Sequence, residues 1–320
     1  MLEGIRPLGP LFRHGKGGDV DRYDLRGRVM VITGANGGLG RLLARALSRK
    51  GARLALLDLD GDAVQAQAAA LGDERQARGW AADVRDAERL AEVMAEANAH
   101  FGVIDVVVAG AGIQAFGPLE TFTPEAFARV IDINLNGVWR TFSAALPYVK
   151  PRRGYLLAVS SMGAFIHSPL QAAYSASKAG VWAMCDSIRL ELRPDGVGVG
   201  SLHPTFFPTR LMEDTLNDPA GKAVWGGNKG PLWKMVPIET VVLEAVECIE
   251  RRAEVTTVPR HLAVAGLAPG VLRPVAERLG FTDEGIRRAV RLSSPTGWSD
   301  PAATARTTGQ TPANEARHDL

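Results

Sequence analysis

Hydrophobic and polar positions along the chain form two alternating kinds of segment. Short runs such as 27–34 and 104–112 are apolar at nearly every position, which is typical of strands buried on both faces of a sheet. Segments such as 41–51 have apolar residues at helical spacing and end at a glycine. Strands are predicted at 27–34, 52–60, 79–84, 104–112, 154–161, 197–204 and 254–259. The main predicted helices are 41–51, 123–149, 172–192 and 238–252.

The alternation of strands and helices predicts the fold class. A helix that connects two strands brings the chain back for a parallel neighbour, so the pattern favours repeated βαβ crossovers. We therefore expect an α/β fold: a doubly wound parallel sheet of about seven strands with helices on both faces, Rossmann-like, in a single domain.

The two ends of the chain depart from this pattern. Residues 1–24 are rich in glycine, proline and charge, and predict a loose N-terminal leader. Residues 261–292 form an apolar, helix-like extension that would cover a pocket, contact another subunit or lie on a membrane surface. Residues 293–320 lack apolar periodicity and predict a disordered tail.

Composition and charge narrow the class of protein. The chain has 46% hydrophobic residues and a net charge of +2 without a basic block, so we expect no nucleic-acid partner. The two cysteines, Cys185 and Cys248, have no metal-site spacing and predict reduced packing residues and no metal. No apolar stretch reaches the ~20 residues of a membrane span, and the N-terminus lacks the apolar run of a signal peptide. These features predict a soluble, cytoplasmic protein.

A glycine-rich loop lies between the first predicted strand and helix. Its sequence, TGANGGLG at 33–40, has the strand–loop–helix context of a dinucleotide site, where glycines let the main chain approach a pyrophosphate. Asp58 ends the second strand, where an acid can bind an adenosine ribose and repel a 2′-phosphate. The loop contains no arginine to offset that repulsion. A solvated aspartate at a strand end is the alternative for Asp58.

Four polar residues form a candidate reaction centre. Tyr174 and Lys178 are four positions apart, on one face of a predicted helix. A neighbouring cation lowers the pKa of a phenol from ~10, which would let the phenol act as general acid or base on a carbonyl/alcohol pair. Ser161 ends a strand at the edge of the sheet where the glycine loop lies. Asn134 lies inside a predicted helix, where an amide is a mediocre helix former. Taken singly, a surface Tyr–Lys pair and a solvated Asn are the alternatives.

Together these motifs resemble the short-chain dehydrogenase/reductase family. The resemblance covers about residues 25–260 and identifies that range as a dinucleotide-binding catalytic domain. Tyr174 follows Ser161 by 13 residues, the family's usual spacing, so Ser161 is favoured over Ser160. The implied catalytic residues are Asn134, Ser161, Tyr174 and Lys178. The implied cofactor-binding residues are Thr33, Gly34, Asn36, Gly38, Leu39, Gly40, Asp58, Asp83, Val84, Gly110, Tyr174, Lys178, Pro204 and Thr209.

The resemblance also implies roles for these residues. Tyr174 would be the acid/base, and Lys178 would bind the nicotinamide ribose and lower the pKa of Tyr174. Ser161 would orient the substrate oxygen. Asn134 would distort its helix and hold a water in a proton relay. The cofactor would be NAD, the reaction the interconversion of a secondary alcohol and a ketone, and the assembly a homotetramer or homodimer through 123–149 and 172–192.

Three features depart from the family pattern. The family's Asn-Asn-Ala-Gly is AGAG here, at 109–112. Thr205 replaces the glycine of the family's Pro-Gly-x-x-x-Thr, although Thr209 still matches the final threonine. Gly34, Gly37 and Gly40 also fit the spacing of the extended branch, which includes sugar-nucleotide epimerases. Asn134, the Asp83-Val84 pair and the YSASK motif at 174–178 favour the short, non-extended branch.

Other functions and site features remain open at this point. A sugar-nucleotide epimerase and a protein that senses NAD(H) without turnover are the alternatives to a dehydrogenase. Aromatic and methionine residues in 205–236 predict a pocket wall and a lipophilic substrate, with ordinary packing as the alternative. His167 and His203 are predicted to be packing or solvent-facing residues.

Overall fold

A seven-stranded parallel sheet forms the centre of the protein. The computed structural model describes residues 22–225 and 234–293. The strands follow the order β3-β2-β1-β4-β5-β6-β7, and every neighbouring pair is parallel. They are β1 (Val29–Thr33), β2 (Arg53–Asp58), β3 (Ala77–Ala81), β4 (Val106–Ala109), β5 (Tyr155–Val159), β6 (Gly198–Pro204) and β7 (Val255–Val258). The predicted doubly wound α/β fold is therefore confirmed.

Twelve α-helices accompany the sheet in the described ranges. They are α1 (Gly38–Arg49), α2 (Gly61–Ala69), α3 (Ala87–Phe101), α4 (Pro124–Ile131), α5 (Gly137–Val149), α6 (Ala172–Leu192), α7 (Arg210–Asn217), α8 (Pro219–Trp225), α9 (Ile238–Arg251), α10 (Ala263–Leu267), α11 (Pro269–Gly280) and α12 (Asp283–Leu292). None of the described helices is long and apolar enough to cross a membrane.

The apolar strands bury both of their faces. In β1, Val29 and Val31 pack in one hydrophobic cluster with residues of α3 and α5, while Met30 and Ile32 pack in a second with residues of α1 and α9. Successive side chains of a strand point to opposite faces, so a strand covered by helices on both sides needs an apolar residue at each position. This requirement explains the unbroken apolar runs of the sequence.

The predicted helix 123–149 is interrupted. The chain forms α4, then a π-helical turn at Asp132–Asn136, then α5. The apolar stretch after β7 is likewise divided into α10 and α11. Thr123 accepts a hydrogen bond from the main-chain N–H of Ala126, as expected of an N-cap.

The segments outside the alternating core are described in part. Residues 1–21 of the predicted leader and 294–320 of the predicted tail lie outside the described residues, as do 226–233 of the predicted pocket wall. Tyr23 is described, and its main-chain N–H donates to the carbonyl of Glu250 at 2.8 Å. In the C-terminal extension, α12 packs on α8, where Ala289 joins a cluster with Val224 and Trp225.

Candidate active site

A cavity of about 920 Å³ lies at the carboxyl edge of the sheet. Parallel strands of an open α/β sheet present ligand-binding loops at this edge. Ten of the sixteen predicted catalytic and cofactor-binding residues line the cavity, namely Gly34, Gly38, Leu39, Gly40, Gly110, Ser161, Tyr174, Lys178, Pro204 and Thr209. Thr33, Asn36, Asp58, Asp83, Val84 and Asn134 do not line it.

Tyr174 and Ser161 meet on one side of this cavity. Both approach Gly163, where an added β-carbon would lie 3.4 Å from Cε1 of Tyr174 and 3.5 Å from Oγ of Ser161. The Ser161 hydroxyl accepts a hydrogen bond from the main-chain N–H of Gly163 at 3.1 Å. The neighbouring Ser160 is instead buried and donates to the carbonyl of Lys178 at 3.0 Å. Ser161 is therefore the serine that faces the reaction centre.

The pKa of Tyr174 differs from the sequence prediction. Burial raises the pKa of this phenol above its usual value of 10.0, and its hydrogen bond with Ser161 lowers that pKa by less. Lys178 Nζ lies 5.7 Å from the centre of the Tyr174 ring. The pKa of Tyr174 in the protein chain alone is therefore raised and not lowered as expected, because removing water from the phenolate is the largest effect.

Lys178 is itself buried at the base of the cavity. Its Nζ donates to the carbonyl of Val159, at the end of β5, over 2.9 Å. Burial lowers the pKa of this amine from 10.5 to about 8. The amine is therefore mostly charged at neutral pH and loses its proton more readily than an exposed lysine does.

Asn134 lies at the centre of the π-helical turn and is fully buried. Its Oδ1 accepts from the main-chain N–H of Ile113 at 2.8 Å, and its Nδ2 donates to the carbonyl of Ile113 at 2.8 Å and to Ser177 Oγ at 3.1 Å. Ser177 in turn donates to the carbonyl of Tyr174 at 2.7 Å. The amide thus joins the loop after β4 to α6. Since both of its N–H groups are used in protein contacts, they are not available to hold a relay water.

The glycine loop forms a cradle at the other end of the cavity. Gly34 has a φ of +70°, and a β-carbon there would lie 2.7 Å from the main-chain N of Ala111. A β-carbon on Gly40 would collide with the carbonyl oxygen of Gly34. Helix α1 has no side-chain cap at Gly37 and no acidic residue in its first turn. Gly37, Gly38, Leu39 and Gly40, at the start of this helix, line the cavity, an arrangement that fits the phosphates of a dinucleotide.

Asp58 connects the second strand to this cradle. Its Oδ2 accepts from the main-chain N–H of Asn36 and its Oδ1 from that of Leu59, both at 2.8 Å. The carboxylate therefore holds the glycine loop in place, and its remaining lone pairs are available to a ribose hydroxyl. Arg41 follows the loop and donates to the carbonyl of Asn36 at 2.8 Å. Asp60 is the N-cap of α2 and accepts from Ala63.

The remaining predicted cofactor residues, Thr33, Asp83 and Val84, make contacts with other parts of the chain. Thr33 Oγ1 accepts from the main-chain N–H of Gly110 at 3.2 Å, which holds the AGAG segment against β1. Asp83 is paired with Arg85, and this pairing lowers the pKa of the Asp83 carboxyl. Val84 is buried against Gly137, where an added β-carbon would lie 2.8 Å from Val84 Cγ2.

The threonine-containing loop after β6 lies against the glycine loop. A β-carbon on Gly38 would lie 3.4 Å from the methyl group of Thr209. The Thr209 hydroxyl accepts from the main-chain N–H of Met212 in the first turn of α7. Thr205, which replaces the family's glycine, donates its main-chain N–H to the carbonyl of Val258 at 2.8 Å.

Two buried polar residues were given no role in the site by the sequence: His203, which was expected only to pack or face solvent, and Gln114. His203 is fully buried; its Nδ1 donates to the carbonyl of Ser161 at 3.1 Å and its Nε2 accepts from Ser201 Oγ at 2.8 Å. Burial lowers the pKa of this imidazole to about 4, so the ring is neutral at neutral pH. Its hydrogen bond to the carbonyl of Ser161 helps to hold the main chain at Ser161 in place. Gln114 lines the cavity and is only 5% exposed. The sequence position of Gln114 in the loop after β4, at the ligand-binding edge of the sheet, could have indicated that it belongs to the site.

Comparisons with known proteins indicate the family of this chain. The model of the short chain dehydrogenase family matches residues 28–220. D-threitol dehydrogenase from Mycolicibacterium smegmatis is 33% identical over 204 residues, which cover 63% of this chain and 78% of that protein. L-rhamnose 1-dehydrogenase (NAD(P)(+)) from Azotobacter vinelandii is 32% identical over 201 residues, which cover 60% and 77% of the two chains.

A solved structure has the same fold. The crystal structure of a short-chain type dehydrogenase/reductase from Mycobacterium marinum has a TM-score of 0.66 at 27% identity, and the alignment covers 74% of this chain and 96% of that one.

The present chain belongs to the short-chain dehydrogenase/reductase family. It is an NAD(P)-dependent oxidoreductase that acts on CH–OH groups.

Proposed function

We propose that the protein interconverts a secondary alcohol and a ketone with NAD(H), with Tyr174 as the acid/base. The observation that carries the proposal is the meeting of Tyr174 and Ser161 at Gly163, in the same cavity as the open N-terminus of α1. The phosphates of the cofactor would lie at Gly34, Gly38 and the first turn of α1, and its adenosine ribose at Asp58. The nicotinamide, when bound, supplies hydride transfer.

The chain's own residues handle the proton. In the direction of alcohol oxidation, the phenolate oxygen of Tyr174 takes the hydroxyl proton, and in reduction the phenol returns it to the carbonyl oxygen. The Ser161 hydroxyl donates a hydrogen bond to the same substrate oxygen. Because burial raises the pKa of Tyr174 in the chain alone, we propose that positive charge from Lys178 and the bound nicotinamide brings the phenol to a working pKa.

The wall of the cavity supports a substrate with a lipophilic part. Phe206, Phe207, Met212, Met235 and Leu262 line it. Apolar walls favour substrates that bury apolar surface. The similar enzymes named for D-threitol and L-rhamnose support an alcohol substrate with further hydroxyl groups. We propose a secondary alcohol with an apolar body.

The proposed function is tested by turnover. Purified protein is given NAD⁺ with a series of secondary alcohols, or NADH with the matching ketones, and NADH is followed by absorbance. Net redox turnover supports the proposal. Conversion of a sugar nucleotide with retained NAD and no net redox would favour the epimerase, and cofactor binding without turnover across the series would favour the NAD(H)-sensing protein.

Asp58 is expected to make the protein prefer NADH over NADPH. Its carboxylate binds a ribose hydroxyl and repels a 2′-phosphate. Replacing Asp58 by Asn keeps an oxygen acceptor for the N–H of Asn36 but removes the charge, and should narrow the preference by about tenfold or more. Dissociation constants for both cofactors give the ratio, with Asp60→Asn as the matched control on the same loop. Equal or tighter binding of NADPH by the unaltered protein would contradict the expectation.

We further propose a cytoplasmic homodimer or homotetramer. Trp139 on α5 and Leu190 on α6 are 55% and 53% exposed, on the two helical segments expected to form subunit contacts. Burial of such side chains would favour association. Light scattering at micromolar concentration that shows only monomer would refute this assembly.

A further inference from the structure

Gln114 lines the cavity of the candidate active site and has a buried amide nitrogen with no hydrogen-bond partner among the described residues. The side chain lines the same cavity as Tyr174 and Ser161 and is 5% exposed. Its Nε2 is buried and makes no hydrogen bond within the described residues 22–225 and 234–293. Buried polar side chains in folded proteins nearly always have partners, so an orphaned amide in a ligand cavity indicates a group that the ligand supplies.

The position of Gln114 is held from both sides. On one side, the amide of Asn134 binds both the N–H and the carbonyl of Ile113, each at 2.8 Å. On the other side, Ala115 is buried in a cluster with Val130 and Ala173. These contacts fix the main chain around Gln114, which favours an amide group already placed for its ligand.

The chemistry of the amide defines the missing partner. The Nε2 group donates and needs an oxygen acceptor, while the carbonyl end of a glutamine accepts. The nitrogen and the oxygen of a glutamine amide are told apart by the hydrogen bonds that each makes. One of these two atoms in Gln114 has no partner among the described residues. A hydroxyl group can both donate and accept, so it satisfies the amide in either orientation.

We propose that Gln114 binds a second oxygen of the substrate, so that the preferred substrate is a secondary alcohol that carries a further hydroxyl group. This inference rests on the proposed function, since it places the reacting hydroxyl at Tyr174 and Ser161. A bound mono-alcohol would exclude water from the cavity and leave the amide of Gln114 without a hydrogen-bond partner. A site that hydrogen-bonds a substrate hydroxyl therefore discriminates against the analogue that lacks this hydroxyl. Gln114 is therefore a specificity-determining residue.

The test compares diols with mono-alcohols of the same carbon skeleton. The full chain is assayed with NAD⁺ on vicinal diols, 1,3-diols and the matching mono-alcohols, before and after Gln114→Met, which keeps the length of the side chain. We expect kcat/KM for at least one diol class to fall about ten- to a hundredfold, while kcat/KM for the mono-alcohol changes by less than about threefold. Gln67→Met is the matched control, because the amide of Gln67 is also unpartnered but lies on α2, outside the cavity.

Failure of this inference can be distinguished from failure of the proposed function. Equal losses on diols and mono-alcohols, or no loss on either, would overturn the role of Gln114 while turnover itself supports the dehydrogenase. If no alcohol is turned over, binding of the same diols and mono-alcohols to the NADH complex, measured by NADH fluorescence, tests Gln114 separately. A diol preference in binding that is abolished by Gln114→Met supports the inference, and the absence of any such preference overturns it. Unchanged NADH affinity in the variant shows that the cavity remains folded.

Discussion

Replacing Tyr174 by Phe is expected to lower turnover by a factor on the order of 10² or more. The change removes the hydroxyl that carries the proton but keeps the ring that packs beside Gly163 and Ser161. NADH should bind nearly as before, because the glycine loop and Asp58 are untouched. Steady-state kinetics and NADH titration measure the two effects separately.

The matched control for this change is Tyr148→Phe. Tyr148 is a partly buried tyrosine on α5 that does not line the cavity. Its replacement should leave both turnover and NADH affinity unchanged. A Tyr174→Phe enzyme with near-normal turnover on its substrate would refute the proposed acid/base.

Replacing Lys178 by Met should lower turnover and cofactor affinity together. The change removes the charge proposed to stabilise the phenolate and the amine expected to bind the nicotinamide ribose. Any remaining alcohol oxidation should require higher pH, because the phenol then loses its proton without help. Lys150→Met is the matched control, since Lys150 is an exposed residue paired with Asp195 outside the cavity. Loss of turnover with unchanged NADH affinity would contradict the dual role.

The lowered pKa of Lys178 should also change how the free energy of unfolding of the cofactor-free protein depends on pH. Its pKa is about 8 in the folded chain, against an ordinary value of 10.5. Between these two values the unfolded chain holds the proton that the folded chain has released, so the free energy of unfolding contributed by this residue rises with pH. Below about pH 8 the amine is charged in both states, and the full cost of its burial remains.

Urea unfolding from neutral pH to about pH 10 measures this pH dependence. The difference in unfolding free energy, unaltered protein minus Lys178→Met, should increase as pH rises through the window from about 8 to 10.5. The Lys150→Met variant should follow the unaltered protein. Parallel pH profiles for the unaltered protein and Lys178→Met would show that the pKa of Lys178 is not lowered.

The order of strands and helices could be predicted from the chain because its cause is local. A strand covered on both faces needs apolar side chains at every position, and β1, with Val29 and Val31 on one side and Met30 and Ile32 on the other, shows this requirement directly. The glycine loop could also be predicted from the sequence, because only glycine avoids the collisions that a β-carbon would make at Gly34 and Gly40.

The family resemblance implied a distortion of the helix at Asn134, but not the contacts that stabilise it. An amide is a mediocre helix former, yet the π-helical turn is stabilised by contacts with Ile113 and Ser177, which lie on other elements. Asp58 is a similar case. Its position at the end of β2 predicted contact with a ribose, whereas its bonds to the N–H groups of Asn36 and Leu59 follow only from how the loop folds over the strand.

The amino-acid sequence by itself determined the fold class, the family and ten of the residues that line the cavity, because strand periodicity, glycine positions and motif spacing are properties of the chain. Only the tertiary structure decided the electrostatics and the orphaned polar groups. The raised pKa of Tyr174, the pKa of about 8 at Lys178 and the unpartnered amide of Gln114 all follow from burial by distant segments. Removal of water depends on what packs around a group in three dimensions, and no local pattern encodes it.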